Sequence, residues 1–374
     1  MIHILKSLFK TTLVCLLVLT CWVGLSTPTQ AAPDRESRLP GGNAITEGDA
    51  ILRYALPIDN DTIFKIQGDI ESIIAPIRGR RWGAATSSLS EASFLLSTRS
   101  EKILASIAED RRSEAQEVLE QLSTDLNILR EQVAEQDKTA AFETQKSCLF
   151  EVETLENLMV QGFPYEVPSE YSALPQLKGR AAVEIETEKG SLTVVVDGYN
   201  APVTAGNFVD LVSRGFYDGL PITRADEFYV LQLGDPPGPE NGFVDPATGE
   251  ERTIPLEIRV QSEVEPIYEF TLEEIGLYRE QPVLPFSAYG TLGMARPDND
   301  PNGGSSQFFF FLFEPELTPA GLNLLDGEYA VFGYVVDGED VLPELKKGDR
   351  ITSMKVIEGM ENFLPGWGDR GIGG

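Results

Sequence analysis

The chain has 374 residues, 59 Asp and Glu against 30 Lys and Arg, and a net charge of −29. A field of that sign repels phosphate backbones and anionic lipid head groups, so nucleic acid is excluded as a partner. With one His and three Cys, there is little to support imidazole catalysis, His-ligated zinc or a disulfide framework.

Lys6 and Lys10 flank the start of an apolar run, TLVCLLVLTCWVGL, that is too short for a stable anchor. Thr29-Gln30-Ala31 then reads as a small-x-small cleavage site. Residues 1–31 are expected to be a signal peptide on the general secretory route, and the protein to be exported with no transmembrane segment left. Cleavage would remove His3, Cys15 and Cys21, leaving Cys148 as a lone thiol. Residues 32–57, with Pro33, Pro40, Gly41, Gly42 and Pro57, read as a linker.

The period then becomes helical. Ile63, Ile66, Ile70, Ile73 and Ile77 recur at three- and four-residue steps, with Asp59 or Asp61 as the expected cap. Trp82, Ala85, Leu89, Ala92 and Leu96 form a second stripe; Ala115, Val118, Leu122, Leu126 and Val133 form a third. Asp137 is placed to cap a fourth helix, on which Ala141, Gln145, Cys148, Val152, Leu155 and Met159 share a face. About four such helices with short connections predict an antiparallel bundle over residues 58–165. Cys148 lies on its apolar stripe, where a buried and inert thiol is expected. Nothing in the bundle gathers polar groups into a site, so it reads as a recognition or regulatory module. Pro164, Pro168 and Pro175 mark a linker over 166–179.

From Ala181 the period is two. Val183, Ile185 and Thr187 alternate with glutamates, and Lys189-Gly190 turns the chain into Ser191–Val196. Pro202 opens a helix that runs towards Gly215. Three strand-like runs follow: LPITRADEFYVLQLGD (220–235), GGSSQFFFFLF (303–313) and LLDGEYAVFG (324–333). Their Gly and Asp punctuation predicts a closed antiparallel β-barrel within residues 180–374. Arg224 and Gln232 interrupt apolar text eight positions apart, an even offset that on one strand puts both on one face. Arg224 has a plainer alternative, an ion pair with Asp226 or Glu227. The acidic, Pro-rich insert 236–285 reads as a surface loop or a binding loop, with a helical piece near Leu272 to Tyr278.

That order of segments, together with APVTAGNFVDLVSRGFYDGLPITRA (201–225), resembles the cyclophilin family of peptidyl-prolyl isomerases. The chemistry implied is rotation about an X-Pro bond, whose barrier of ~18–20 kcal/mol reflects nitrogen conjugation with the carbonyl. A donor aimed at the prolyl nitrogen localises the lone pair, and neither cofactor nor metal is required. The resemblance implies Arg224 as that donor and Gln232 as the group gripping the carbonyl. It also implies a ring pocket of Tyr229, Val230, Phe309 and Leu325, with Ala295 and Gln307 along the groove. Leu324 and Tyr329 fall on two further groove positions. Several residues depart from the family pattern: Tyr229 for Phe, Val230 for Met, Thr223 and Tyr329 for His, Leu324 for Trp and Arg296 for Asn. The expectation is a groove that binds proline-containing chain with reduced turnover; a non-catalytic chaperone or scaffold is the alternative.

The whole plan of a multidomain α + β protein, bundle first and barrel second, resembles the multidomain thylakoid-lumen cyclophilins. LKKGDRITSMKVIEGMENF near the end fits that resemblance. It implies a place in the thylakoid lumen, with the periplasm as alternative, and a part in photosystem II assembly or repair. Its implied partners are luminal loops of photosystem II subunits.

Overall fold

The structure, a computed structural model, describes residues 45–246, 248–313 and 323–366. The expected signal peptide, and the expected linker as far as residue 44, lie outside them. Among the described residues, no helix is long and apolar enough to cross a membrane.

Residues expected as a linker instead open with a helix, α1 (Gly48–Ala55). The bundle follows as α2 (Asp61–Glu71), α3 (Ile74–Arg78), α4 (Trp82–Ala105), α5 (Arg112–Glu135) and α6 (Lys138–Met159). The five-isoleucine stripe is fully buried, although it crosses a break between α2 and α3. Pro76 explains the break, because it offers no N–H to the carbonyl four residues back. The cap of α2 is neither Asp59 nor Asp61. It is Asn60, whose Oδ1 accepts from the N–H groups of Thr62 and Ile63 while its amide donates to Lys102 O and Ser106 Oγ. Asn60 thus satisfies orphan donors and ties α2 to the end of α4 in one step. Asp137 does cap α6, accepting from Ala140 N at 3.1 Å. Cys148 is buried and free, and burial pushes its thiol pKa well up.

The second half is built on β1 (Gln176–Leu177), β2 (Arg180–Thr187), β3 (Ser191–Asp197), β4 (Arg224–Asp226), β5 (Val230–Leu233), β6 (Glu257–Ile258), β7 (Ile267–Tyr268), β8 (Thr291–Met294), β9 (Phe308–Phe311), β10 (Val331–Asp337), β11 (Ile351–Glu358) and β12 (Phe363–Leu364), with α7 (Pro202–Ser213) between β3 and β4. Eight strands form one antiparallel sheet in the order β11-β2-β3-β10-β8-β9-β5-β4. The closed barrel expected from the sequence is not formed: the sheet is an open half-barrel. Its end strands β4 and β11 share no ladder, and a single bridge joins Pro221 to Arg350 near the seam. β4 has only three residues, and the backbone hydrogen bonds near the seam come instead from the segment before it, residues 219–222, which bonds to residues 348–351.

Along β9 the side chains alternate. Phe308 and Phe310 enter the main core with Phe208, Tyr217 and Phe332, whereas Phe309 and Phe311 face the opposite side. That opposite face is where α1 lands. Ile51, Leu52 and Ala55 share an apolar cluster with Val230, Leu284, Phe286, Phe309, Phe311 and Tyr334. Burying Ile51 and Leu52 stabilises by about 1.5–3 kcal/mol each. The C-terminal carbonyls of α1 are met from the sheet side, Leu52 O by Arg180 Nη2 and Ala55 O by Asn200 Nδ2. Arg53 of the same helix turns to the bundle and pairs with Glu71 at 3.2 Å. One short helix therefore engages both halves.

The other expected linker, 166–179, is also pinned: β1 pairs with β12, and Leu177 is fully buried. Nor is the acidic insert a surface loop throughout, although much of 236–253 and 261–281 is exposed. Ile254, Leu256, Ile258 and Val260 alternate into the main core, and Glu257 is buried at the start of α7. There its carboxylate accepts from the N–H groups of Val203 and Thr204 and from Thr204 Oγ1. Residues 272–276 are turns rather than a helix, with Gly276 at φ 78° ending any helical run.

Candidate active site

β4 and β5 form a tight hairpin in which Arg224 stands directly opposite Gln232. The two share a face as cross-strand partners, not as an even-spaced pair on one strand; the reversal at residues 227–229 replaces the single strand expected. β5 then pairs with β9 so that Gln232 faces Phe309, and β9 pairs with β8 so that Phe309 faces Gly293. Arg224, Gln232, Phe309 and Gly293 thus form one row across four strands, and Val230 and Phe311 pair in the next row. The pleat brings them together because direct partners lie ~4.5–5.5 Å apart at Cβ.

The polar end of the row is internally bonded. Gln232 Nε2 donates to Gln307 Oε1 at 2.8 Å, and Gln307 Nε2 donates to Asp235 Oδ1 at 3.1 Å and to Asn241 O at 2.8 Å. This chain fixes the Gln232 amide with its own Oε1 left to accept. Arg224 is half exposed and pairs with Asp226, Nη2 to Oδ2 at 2.5 Å. Thr223, where the family has His, gives both N–H and hydroxyl to Gln232 O.

The apolar end is packed down. Phe309 is 6% and Val230 5% exposed. The Phe309 ring stacks on Phe286 at 5.8 Å between centroids and meets Tyr329 edge-on at 5.6 Å. Leu325 and Ala295 are half-buried beside the same cluster. Tyr229 is partly exposed and edge-on to Phe311 at 6.0 Å. Leu324 is not brought to this cluster; it is 93% exposed. Arg296 lies over the Tyr329 ring at 4.9 Å and donates to Glu328 O, so its guanidinium is held away from the row.

The loop carrying Leu325 and Tyr329 is tied back to Phe286, just after the insert. Asp326 Oδ1 accepts from Phe286 N at 2.7 Å, and Asn323 Nδ2 donates to Phe286 O at 3.0 Å. Burial pushes the Asp326 carboxyl up to about 6. Sequence reasoning missed Phe286, Asp326 and Asp235; Phe286 is an isolated aromatic in irregular text, and only the tertiary fold brings it to Phe309. Chemically, the row offers a guanidinium, an oriented amide and an aromatic wall within one patch. It holds no nucleophile, and among the described residues no group of carboxylates, Cys or His is placed to hold a metal ion.

A half-barrel with this row defines the isomerase half of the chain: the family profile described as cyclophilin type peptidyl-prolyl cis-trans isomerase/CLD matches residues 182–361. A second profile, for the PsbQ-like domain of CYP38-like peptidyl-prolyl cis-trans isomerases, matches residues 47–160. The chain belongs to the cyclophilin family. It is 54% identical to the Synechocystis sp. protein sll0408, named for a thylakoid lumen peptidyl-prolyl cis-trans isomerase, over 88% of this chain and 86% of that one. Identity to the chloroplastic isomerase CYP38 of Arabidopsis thaliana is 46%, over 87% of this chain and 77% of CYP38. For the chloroplastic CYP37 of the same plant the figures are 32%, 84% and 70%.

Proposed function

We propose that this protein is a peptidyl-prolyl cis–trans isomerase of modest turnover, acting on proline-containing segments of exported proteins in the thylakoid lumen. The observation that carries this reading is the pairing of Arg224 with Gln232 beside Phe309. In it, Arg224 donates to the prolyl nitrogen as conjugation breaks, and Gln232 holds the substrate carbonyl. Tyr229, Val230, Phe309, Leu325 and Tyr329 enclose the proline ring, and Ala295 and Gln307 line the chain's path. The names of the relatives support both the activity and the lumen. A further part of the reading is that the clients are luminal loops of photosystem II subunits; the PsbQ-like description of the bundle profile is its support.

The deciding experiment is a protease-coupled proline isomerisation assay on the full chain. Arg224→Ala is expected to remove most of the activity; an unchanged rate would take Arg224 out of the mechanism.

A second reading, a chaperone or scaffold without catalysis, is favoured by the burial of Phe309 and by the Arg224–Asp226 ion pair. Under it, Arg224→Ala spares client binding, whereas deletion of residues 58–165 abolishes it. Binding that survives that deletion removes the bundle from the reading.

A further inference from the structure

Gly293 and Phe309 are direct partners in the β8–β9 ladder. The backbone at Gly293 does not need a glycine, since it is not among the positions of positive φ. Its neighbours do. A Cβ built there would lie 2.5 Å from Phe309 Cζ, 2.9 Å from Phe309 Cε1 and 2.9 Å from Phe286 Cζ. Real Cβ contacts are never this short, so any other residue at 293 would displace a ring. In effect Phe309 leans across to the neighbouring strand β8, into the place a side chain would take, and Phe286 receives it in a stack 3° from parallel. Leaning towards β8 moves the ring away from Gln232, its partner on the other flank.

The geometry points to Gly293 as a positioning residue that sets the width of the prolyl hollow. By leaving the place opposite Phe309 empty, it lets the ring withdraw from Gln232 and keeps a proline-sized space between amide and aromatic wall. This rests on the reading that Phe309 borders the substrate proline. Phe286 and Tyr329 fix the withdrawn ring from two sides, which makes the hollow a product of three aromatic residues and one missing side chain.

The test is a double-mutant cycle on the full chain with Gly293→Ala and Phe309→Leu, read on proline-peptide binding and on Tm. Gly293→Ala alone is expected to weaken binding about tenfold, the scale of forcing a methyl into a packed site, and to lower Tm. Leucine lacks the Cζ and Cε1 atoms, so in the Phe309→Leu background the added methyl should cost little in either readout. Gly293→Ala binding within twofold of wild type, or a penalty of equal size in both backgrounds, overturns the proposal. If Gly293→Ala alone does not fold, recovery of folding by Phe309→Leu supports it and continued failure overturns it. If the wild-type chain binds no proline peptide, the reading of the groove fails, and the Tm cycle still decides whether Gly293 acts through the Phe309 ring.

Discussion

Arg224 and Asp226, two residues apart on β4, meet through a single carboxylate oxygen, with Nε at 2.7 Å and Nη2 at 2.5 Å. Both side chains are about half exposed, and such a pair contributes under about 1 kcal/mol. The guanidinium is therefore parked rather than locked. On the reading proposed above, a client that brings a prolyl nitrogen to the row would draw it away at small cost.

Asp226→Asn should accordingly raise kcat/KM, by roughly two- to fivefold given a pair of that strength. Arg224→Ala should lower it by at least tenfold, within the range seen for loss of one positioned donor. The isomerisation assay checks both. An Asp226→Asn enzyme no faster than wild type would mean the ion pair does not restrain Arg224.

Removing α1 should destabilise the second half even though α1 precedes the bundle in the chain. A fragment starting at Leu177 loses Ile51 and Leu52 from the cluster containing Val230 and Phe309. Losing several kcal/mol of burial from a fragment of that size lowers Tm by roughly 10 °C. Scanning calorimetry on that fragment, with and without a peptide of residues 45–57, would detect it. A Tm unaffected by the peptide would deny α1 its role. Any comparison of fragment and full-length activity must allow for this loss.

The insert should carry a pH signature. Burial pushes the Glu257 carboxyl from 4.5 up to about 7, opposed by hydrogen bonds from Thr204 and Val203. Between those two values the folded chain keeps a proton that the unfolded chain gives up. Stability from this group is full below 4.5, falls as pH rises towards 7, and is flat above it. Glu257→Gln should flatten that slope, which for one proton is at most about 1.4 kcal/mol per pH unit. Urea unfolding of wild type and variant from pH 4.5 to 8 measures the difference. Parallel profiles would show that Glu257 is already charged throughout.

Cys148 is buried in the bundle with its thiol pKa raised, so a thiol reagent should not label it in the native chain. Labelling should appear only with unfolding, at a rate that follows denaturant. Rapid labelling in buffer would mean that α6 opens locally.

The helices of the bundle were readable because a 3.6-residue period survives in the text wherever one face is buried. Their caps were less so: Asp59, Asn60 and Asp61 all have the chemistry, and only the position of Lys102 and Ser106 selects Asn60. Residues 48–55 carry a single apolar face of two turns between Gly- and Pro-rich flanks, too short to stand out from a linker. In the insert the signal was present, since Ile254, Leu256, Ile258 and Val260 alternate, but acidic composition masked it. The open seam escaped notice because apolar alternation reports which face is buried and says nothing about whether the end strands zip. At the site, Arg224 and Gln232 were legible as an unusual pair, while the choice between Asp226 and Glu227 as partner depends on the hairpin turn. Phe286 and Gly293 were invisible, because their importance lies entirely in how two rings fill one gap.

The placement of α1 also constrains how such a protein can evolve. Its isomerase half borrows part of its core from a segment encoded on the far side of more than a hundred residues of bundle. Exchanging the isomerase half for a foreign module would leave the apolar face of α1 uncovered, and losing α1 with the bundle would leave the sheet with a bare greasy flank. The two parts are thus inherited as a unit, and substitutions in one should be accompanied by adjustments in the other.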